Sequence, residues 1–335
     1  MKVLVTGGGG FLGQAICKQL VARGHGVRSF SRQVYPALDA LGVEQRRGDI
    51  ASLDQVIDAA HEVDAIIHSA GRVGTWGRVE EYYETNVRGT SNVLAACELH
   101  EIDKLVFTSS PSVVHNGADL EGVNESVPYA RHFSSPYART KALAEQHVLA
   151  ANGAQLATVA LRPHFIWGPG DPNLIPRILG RARRGQLRLI GDVPKKIDTV
   201  YVDNAAEAHL LALERLAIGA PIAGKTYFIS QGEPVTLDAL INSWLAADGF
   251  PPETRRMSLG MAKFLGNVLE TTYRVLRLPG EPRLTRFLVE QMSTAHWFNI
   301  SAARRDLNYA PRVSMAEGLA RLSQYLARER MQHRA

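Results

Sequence analysis

The sequence predicts an α/β protein built on a doubly wound parallel sheet, with a smaller, mainly helical lobe at its C-terminal end. Three observations support this fold class. An apolar strand runs into a glycine-rich turn and a helix, short apolar strands then alternate with helices, and the regularity ends after Arg162 and Pro163. Alternation of this kind is typical of a parallel sheet covered on both faces. We therefore predict a first domain over residues 1–165 and a second lobe over 166–335, with segments near 199–210 and 225–230 returning to the first domain.

The predicted strands of the first domain are short, apolar and bounded by turn residues, as expected for buried parallel strands. They cover residues 2–6, 27–31, 65–69, 104–109 and 156–161. The first helix ends at Gly24 and Gly26, because glycine readily takes the backbone conformation that ends a helix. A later helix covers 92–100. In the second lobe, the predicted helices cover 173–185, 237–247, 261–278 and 284–294, and strand-like segments cover 199–202 and 225–230.

Composition argues against several classes of protein. The 335 residues carry a formal net charge of +5, but the basic stretch from Arg177 to Lys196 lacks the interleaved aromatic residues typical of nucleic-acid binding. That stretch indicates either a solvated helix face or attraction of an anionic ligand. Cys17 and Cys97 lie in apolar helical patterns without metal-ligand spacing, so we expect reduced core thiols, no metal site and a cytoplasmic protein. We expect neither a signal peptide nor a membrane-spanning segment.

The glycine-rich turn has the spacing of a phosphate-binding site. It follows the first strand directly and opens the first helix. Glycine permits a sharp turn and close approach of a pyrophosphate, and the helix start offers free N–H groups to the phosphates. A flexible turn without a ligand does not account for the helix start, so we predict a dinucleotide site. The residues assigned to it are Gly7, Gly10, Phe11, Leu12 and Gly13.

The end of the second strand indicates which dinucleotide is bound. A carboxylate there would bond the ribose 2′-hydroxyl of NAD and repel the 2′-phosphate of NADP, but the sequence has Ser31 and Arg32. Arg32 suits a bidentate contact with the phosphate, and the alternative is an exposed arginine without a role. We predict NADP(H) rather than NAD(H). Asp49 and Ile50 are expected to bind the adenine by a hydrogen bond and by packing, or else this segment only caps the next helix.

A proton-transfer pair is predicted at the start of a helix that Ser135 can cap. Tyr137 and Lys141 lie four residues apart and therefore share one helix face. The pKa of a free tyrosine is about 10, and a neighbouring ammonium lowers it by stabilising the phenolate. A serine hydroxyl at the end of the strand that includes Thr108 would reach the same edge of the sheet, where ligands bind in such folds.

These motifs occur in one order along nearly the whole chain. They are Thr6–Gly13, Asp49, His68–Gly71, Asn86–Thr90, Thr108–Ser110, Tyr137 with Lys141, and Arg162–Gly170. In this the sequence resembles the extended short-chain dehydrogenase/reductase family. The resemblance implies that residues 1–165 form a Rossmann-type NADP-binding domain and that residues 166–335 form mainly a substrate-binding lobe.

The same resemblance implies roles for single residues. Tyr137 would be the acid–base, and Lys141 would bind the nicotinamide ribose and tune Tyr137. Ser110 would orient the substrate carbonyl, with Ser109 or Ser112 as the alternatives. The remaining cofactor contacts would be Ser69, Ala70 and Gly71 at the central portion, Asn86, and Pro163 with His164 beside the nicotinamide.

Two local motifs resemble the 3β-hydroxysteroid dehydrogenase branch of that family. One is Gly74–Gly77 leading into Tyr82–Asn86, and the other is His296–Ile300 ahead of Leu307–Tyr309. Within that branch the sequence is similar to the reductases of long-chain olefin biosynthesis. This implies NADPH-dependent reduction of a large apolar ketone, foremost a 2-alkyl-3-oxoalkanoic acid to its 3-hydroxy acid. The alternatives are a 3β-hydroxysteroid or sterol dehydrogenase, a nucleotide-sugar epimerase or dehydratase, and a non-catalytic NADP-sensing regulator.

The helix predicted over 261–278 is apolar and flanked by Lys263, Arg274 and Arg277. It is either an ordinary core helix, a lid over long acyl chains, or a contact with a membrane surface. The expected partners are therefore a hydrophobic keto substrate, with peripheral membrane or pathway-enzyme association as a further hypothesis. A homodimer is expected because symmetric dimers are the commonest oligomers.

Overall fold

The computed structural model describes residues 1–332. The strands are β1 (Lys2–Thr6), β2 (Gly26–Ser31), β3 (Glu44–Arg47), β4 (Ala65–His68), β5 (Lys104–Thr108), β6 (Leu120–Val123), β7 (Ala157–Pro163), β8 (Ile166–Trp167), β9 (Leu189–Ile190), β10 (Lys196–Ile197), β11 (Val200–Tyr201), β12 (Lys225–Ile229), β13 (Val235–Thr236), β14 (Arg256–Met257) and β15 (His296–Phe298). The helices are α1 (Phe11–Ala22), α2 (Pro36–Asp39), α3 (Leu53–Ala60), α4 (Val79–Tyr83), α5 (Gly89–Leu99), α6 (Pro136–Ala150), α7 (Leu174–Arg183), α8 (Val202–Arg215), α9 (Leu237–Ala247), α10 (Leu259–Val275), α11 (Arg286–Ser293), α12 (Ser301–Leu307) and α13 (Met315–Gln332). A π-helical turn covers Glu84–Arg88, and a 3₁₀ turn covers Pro111–Val113.

Seven strands form one parallel sheet in the order β12-β7-β5-β4-β1-β2-β3. The chain first adds β2 and β3 on one side of β1 and then returns to add β4 and the later strands on the other side. The direction in which strands are added therefore reverses between β1 and β4. Ligands of such sheets bind in the crevice at this reversal, beyond the carboxyl ends of the strands. The predicted fold class, a doubly wound Rossmann-type sheet with further elements at the C-terminal end, is confirmed.

Successive side chains of the central strands face opposite sides of the sheet. Val3 and Val5 enter a core with α1 and α8, whereas Leu4 enters a second core with α3, α5 and α6. These residues are fully buried. Helices on both faces explain why the central strands are apolar throughout, and they leave the carboxyl edge of the sheet free to carry function.

The segments near 199–210 and 225–230 differ in how they return to the large sheet. β12 joins the sheet beside β7, as predicted. α8 packs on α1 and contacts β5 and β7, so this helix also returns. The strand-like segment at 199–202 does not, because β11 pairs with β8 in a separate two-stranded sheet. A two-residue strand carries too little side-chain pattern to predict its partner.

Two further sheets that the sequence did not reveal lie mainly in the second lobe, although one of their strands, β6, belongs to residues 1–165. β13, β10, β15 and β6 form a four-stranded mixed sheet, and β14 pairs with β9. Each of these strands has two to four residues. Around them lies a third core that contains Trp167 and Trp244 and packs α7, α9 and α13 together.

α10 exposes large apolar side chains. Met261, Phe264, Val268 and Val275 are 52, 63, 44 and 71% exposed, and their spacing places them on one outward face. Its opposite face packs on α11, with Ala262 and Gly266 buried. α10 therefore carries exposed apolar side chains on its outer face, while its inner face combines Ala262 and Gly266 with the buried Glu270, which pairs with Arg286 of α11. Among residues 1–332, no helix has the length and apolar character needed to cross a bilayer.

Candidate active site

The glycine-rich turn is shaped by close backbone contacts. Gly7 has a φ of +69°, and a Cβ on Gly13 would lie 2.1 Å from the carbonyl oxygen of Gly7. α1 starts at Phe11, and no described side chain caps it. Leu12 and Gly13 follow in its first turn. The free N–H groups of this turn and the positive end of the helix dipole suit a pyrophosphate.

The loop after β4 lies against this turn. The N–H of Ser69 donates to the Thr6 carbonyl (3.2 Å), and a Cβ on Gly7 would lie 2.8 Å from Ala70 Cα. Asn86 fixes the far end of the loop, because its amide oxygen accepts from Arg72 N (2.7 Å) and its Nδ2 donates to Arg72 O (3.1 Å). Asn86 also donates to Thr140 on α6 (3.0 Å). It therefore acts by joining the loop to α6.

The predicted 2′-phosphate site gains a second arginine. Ser31 Oγ accepts from Gly9 N (3.0 Å), which ties the end of β2 to the glycine turn. Arg32 is exposed, and its carbonyl accepts from Arg47 Nε (3.1 Å). Arg47 is level with Ser31 in the β2–β3 pair. Arg32 and Arg47 thus both stand where β2 and β3 end, at the edge where a ribose 2′-substituent is expected. The sequence offered a signal for Arg47, since β3 is expected to neighbour β2 in a doubly wound sheet.

Asp49 and Ile50 lie beyond the end of β3. Asp49 is exposed, and its Oδ1 accepts from Ala51 N (3.0 Å), so one carboxylate oxygen closes a local turn. Ile50 is buried in the core formed with α3 and α5, and its carbonyl accepts from Asn92 Nδ2 (2.9 Å). These contacts fix the segment that follows β3. Adenine binding by either residue stays a prediction.

Tyr137 stands in the first turn of α6, as predicted. Ser135 caps the helix by accepting from Ala138 N (3.2 Å), and Pro136 occupies its first position. Burial raises the pKa of Tyr137 above its usual value, and the neighbouring Ser110 hydroxyl acts in the opposite direction. Without a cofactor, the phenol is therefore protonated at neutral pH and available as a proton donor.

Ser110 is the serine that the structure brings to Tyr137. It starts the 3₁₀ turn after β5, and its Oγ accepts from Ser112 Oγ (2.9 Å) and Ser112 N (3.2 Å). The Ser112 hydroxyl is thus engaged in orienting Ser110. Ser109 is buried, and its Oγ has no partner among the described residues. Of the three candidates, Ser110 is the one that combines partial exposure with a contact to Tyr137.

Lys141 follows Tyr137 by one helical turn and is 5% exposed. Its Nζ donates to the Thr108 carbonyl at the end of β5 and lies 4.3 Å from the centroid of the Phe107 ring. A Cβ on Gly71 would lie 3.7 Å from the same Nζ. Burial lowers the pKa of Lys141 from 10.5 to about 7, and the charge of Glu145 opposes this change. The Lys141 side chain, which belongs to α6, therefore contacts the end of β5 and lies next to the loop after β4.

β7 ends at Pro163, and His164 follows it at the same edge of the sheet. The His164 N–H donates to the Ile229 carbonyl (3.1 Å), and its ring bonds His296 Nδ1 through Nε2 (2.7 Å). His296 begins β15, so this pair joins the first domain to the second lobe. Phe165 follows with a φ of +40°, a strained value for a residue with a side chain. The chain thus turns sharply where the nicotinamide is expected.

The chain matches a family model over most of its length. The model of the "3-beta hydroxysteroid dehydrogenase/isomerase family" matches residues 4–259, which include the glycine turn, Ser110, Tyr137 and Lys141. The chain belongs to this family. The resemblance found in the sequence motifs is thereby confirmed, and the protein is an NAD(P)-dependent oxidoreductase that acts on a small molecule.

Three similar proteins place the chain within this family and fold. It is 54% identical over 324 residues to the "2-alkyl-3-oxoalkanoate reductase" of Stenotrophomonas maltophilia, covering 96% of this chain and 98% of that protein. It is 48% identical over 326 residues to the protein of the same name from Shewanella oneidensis, covering 95% and 84%. A Thermus thermophilus "UDP-glucose 4-epimerase complex with NAD" superposes with a TM-score of 0.74 at 25% identity, covering 98% and 99%.

The sequence motifs did not identify a buried ion pair that lies next to the candidate active site. Arg162, near the end of β7, donates to Glu145 on α6 through Nε (3.0 Å) and Nη2 (2.5 Å). Both side chains are almost fully buried, at 3 and 0% exposure. The available signal was the spacing, because Tyr137, Lys141 and Glu145 follow one another at intervals of four residues.

Proposed function

We propose that the protein uses NADPH to reduce the ketone of a 2-alkyl-3-oxoalkanoic acid, giving the 2-alkyl-3-hydroxyalkanoic acid. The observation that carries this proposal is the 54% identity, over almost the full length of both chains, to a protein named for that activity. The proximity of Ser110 to Tyr137 supports it, because two neighbouring hydroxyls suit hydrogen bonding to one substrate oxygen. The second candidate substrate is a 3-oxosteroid or sterol, favoured by the description of the family.

The proposed chemistry assigns one task to each catalytic residue. The nicotinamide, when bound, supplies the hydride for the ketone carbon. Tyr137 donates its phenolic proton to the ketone oxygen, and the C=O bond becomes CH–OH. Ser110 donates a second hydrogen bond to that oxygen, which strengthens as negative charge develops on it. The Lys141 ammonium stabilises the phenolate that Tyr137 leaves behind.

We propose NADP(H) as the preferred cofactor. Arg32 and Arg47 provide two positive charges beside Ser31, and no acidic residue occupies the end of β2. A carboxylate there would repel a 2′-phosphate, whereas guanidinium groups bind phosphate strongly. The same feature disfavours the epimerase and dehydratase alternative, whose members recycle a tightly held NAD.

We propose that the remaining predicted residues form the cofactor site around this frame. The turn over residues 7–13 would hold the pyrophosphate, residues 69–71 the central portion, and residues 163–164 the border of the nicotinamide. A division into an NADP-binding domain over 1–165 and mainly a substrate lobe over 166–335 fits this assignment. Segment 225–229 belongs with the first domain, since it extends the large sheet.

A panel of ketones measures the substrate preference. NADPH oxidation is followed at 340 nm with a 2-alkyl-3-oxo acid, a 3-oxosteroid and a UDP-sugar, and each product is identified by mass spectrometry. We expect the highest kcat/KM for the 2-alkyl-3-oxo acid. Turnover of the steroid alone would replace the substrate and keep the chemistry. Release of tightly bound NAD from the purified protein would instead favour the epimerase alternative.

We propose that the outward face of α10 contacts an anionic membrane surface. Met261, Phe264 and Val268 lie along this face, and the exposed basic residues Lys263 and Arg274 border it. Apolar residues bordered by positive charge suit the interface of an anionic bilayer. The expected result is co-sedimentation with phosphatidylglycerol vesicles that is lost in Phe264→Asp. The matched control is Ile218→Asp, which changes an exposed apolar residue elsewhere.

Equal binding by Phe264→Asp, by Ile218→Asp and by the original protein would exclude this contact. Stronger turnover of long-chain than short-chain substrates, lost when α10 is altered, would instead support a lid. A homodimer, association with other enzymes of a pathway and a cytoplasmic location stay predictions. Multi-angle light scattering measures the first of them directly.

A further inference from the structure

We propose that Glu145 is a positioning residue that keeps the Lys141 side chain charged and directed at the active site. The proposal deepens the function proposed above and rests on it for its kinetic test. Tyr137, Lys141 and Glu145 are spaced by four residues and lie along one face of α6. That face packs on the sheet, since Lys141 bonds the end of β5 and Glu145 pairs with a residue of β7.

The Glu145 carboxylate is fixed by three hydrogen bonds. Arg162 donates two of them, as described above, and Tyr129 donates the third from its hydroxyl to Oε1 (2.7 Å). The Arg162 guanidinium is itself held between the rings of Tyr129 and Phe228, with centroid distances of 5.6 and 5.2 Å. The negative charge therefore has a defined position inside the protein, one helical turn beyond Lys141.

A buried pair of this kind requires a reason other than stability. Removing two charges from water costs about as much as their attraction returns, and apolar replacements of such pairs are often as stable. The structure supplies that reason at Lys141. Burial lowers the pKa of Lys141 to about 7, and Glu145 is the group that opposes this effect. A neutral lysine would lose the charge that stabilises the Tyr137 phenolate.

The other titratable groups around Lys141 do not titrate in the alkaline range. His68 lies on β4 and His209 on α8, and burial together with the charge of Lys141 lowers their pKa values to about 3 and about 4. His209 accepts from the Thr108 hydroxyl (2.8 Å), which belongs to the same residue whose carbonyl receives Lys141. Both imidazoles are neutral above pH 5. A loss of activity at alkaline pH would therefore report the titration of Lys141 and Tyr137, which titrate as a coupled pair.

Glu145→Gln removes the charge and keeps the shape of the side chain. The alkaline limb of the kcat profile for ketone reduction is expected to move to lower pH by about one unit, a typical effect of a nearby opposite charge. Tyr129→Phe is the matched control, because it removes one hydrogen bond to the same carboxylate and leaves the charges intact. Its alkaline limb is expected to stay in place.

A second variant distinguishes the loss of the Glu145 charge from a loss of stability. Glu145→Gln leaves the Arg162 charge buried without its partner, which is strongly destabilising. The double variant Glu145→Gln/Arg162→Met removes both charges, and its alkaline limb is expected to move in the same direction. A uniform fall of kcat with the limb unmoved in both variants would show that Glu145 is only structural.

A double-mutant cycle tests the proposal without any substrate. At pH 6.5, Glu145→Gln is expected to lower the melting temperature more in the presence of Lys141 than in the Lys141→Met background. At pH 10.5, where Lys141 is neutral, the two effects are expected to be equal. Equal effects at both pH values would overturn the proposal. Failure of ketone reduction would leave this cycle intact, so the two proposals are tested separately.

Discussion

Replacing Lys141 by Met is expected to stabilise the protein without cofactor and to abolish catalysis. Lys141 is 5% exposed, and burial lowers its pKa from 10.5 to about 7. Each pKa unit corresponds to about 1.4 kcal/mol, so a buried, charged Lys141 costs about 5 kcal/mol at pH 6. The substitution also removes the hydrogen bond to the Thr108 carbonyl. That loss reduces the expected gain in the free energy of unfolding to about 3 kcal/mol.

The sign of this effect changes with pH in a defined way. Below pH 7, Lys141 is protonated in both the folded and the unfolded protein, so the full cost of burying the charge is present. Between pH 7 and pH 10.5, the folded protein binds fewer protons than the unfolded one, and the cost disappears as the pH rises. Above pH 10.5, the lysine is neutral in both states, and Lys141→Met brings no gain.

Thermal and urea denaturation of both proteins at pH 6, 8 and 10.5 measure the difference. The variant is expected to melt several degrees higher at pH 6 and at or below the original protein at pH 10.5. Lys141→Arg is the control, because it retains a buried charge that does not titrate in this range. A gain that is independent of pH, or no gain at pH 6, would refute the claim that Lys141 is held charged at a cost to stability.

Two further predictions concern the cofactor site. Arg32→Ala and Arg47→Ala are each expected to raise the Kd for NADPH about tenfold, the effect of one lost hydrogen bond to a charged group, and to leave the Kd for NADH unchanged. Fluorescence titration with both cofactors measures this, and equal losses for NADH would exclude a 2′-phosphate contact. Gly13→Ala is expected to abolish dinucleotide binding and lower the melting temperature, because its Cβ would lie 2.1 Å from the Gly7 carbonyl oxygen. Gly153→Ala is the control, since a Cβ there meets no atom within 4 Å, and binding that survives Gly13→Ala would contradict the packing of α1 against the turn.

The first domain was predictable because its elements are long enough to carry a pattern. β1, the glycine turn and α1 follow directly from apolar runs and glycines, and the capping by Ser135 fixes the start of α6. The second lobe was less predictable, because its strands other than β12 have two or three residues and are too short to show alternation. For this reason the pairing of β11 with β8 had no signal in the sequence.

The site was predictable to the extent that its residues are close in sequence or stand at strand ends. The spacing of Tyr137 and Lys141 on one helix was sufficient to place them together, and the end of β5 brought Ser110 to them. The pair formed by Glu145 and Arg162 was not predictable from spacing alone. It depends on how α6 packs on β7, which is a tertiary contact.

The measurement that tests the account most directly is NADPH oxidation by the original protein and by Tyr137→Phe, with a 2-alkyl-3-oxo acid as substrate. Tyr325→Phe, which changes a tyrosine on α13, is the matched control. The account predicts formation of the 2-alkyl-3-hydroxy acid, a loss of at least about 100-fold in kcat for Tyr137→Phe, the lower end of what a positioned acid–base group contributes, and little change for Tyr325→Phe. Unchanged turnover by Tyr137→Phe would contradict the role of Tyr137 as the proton donor, and with it the mechanism.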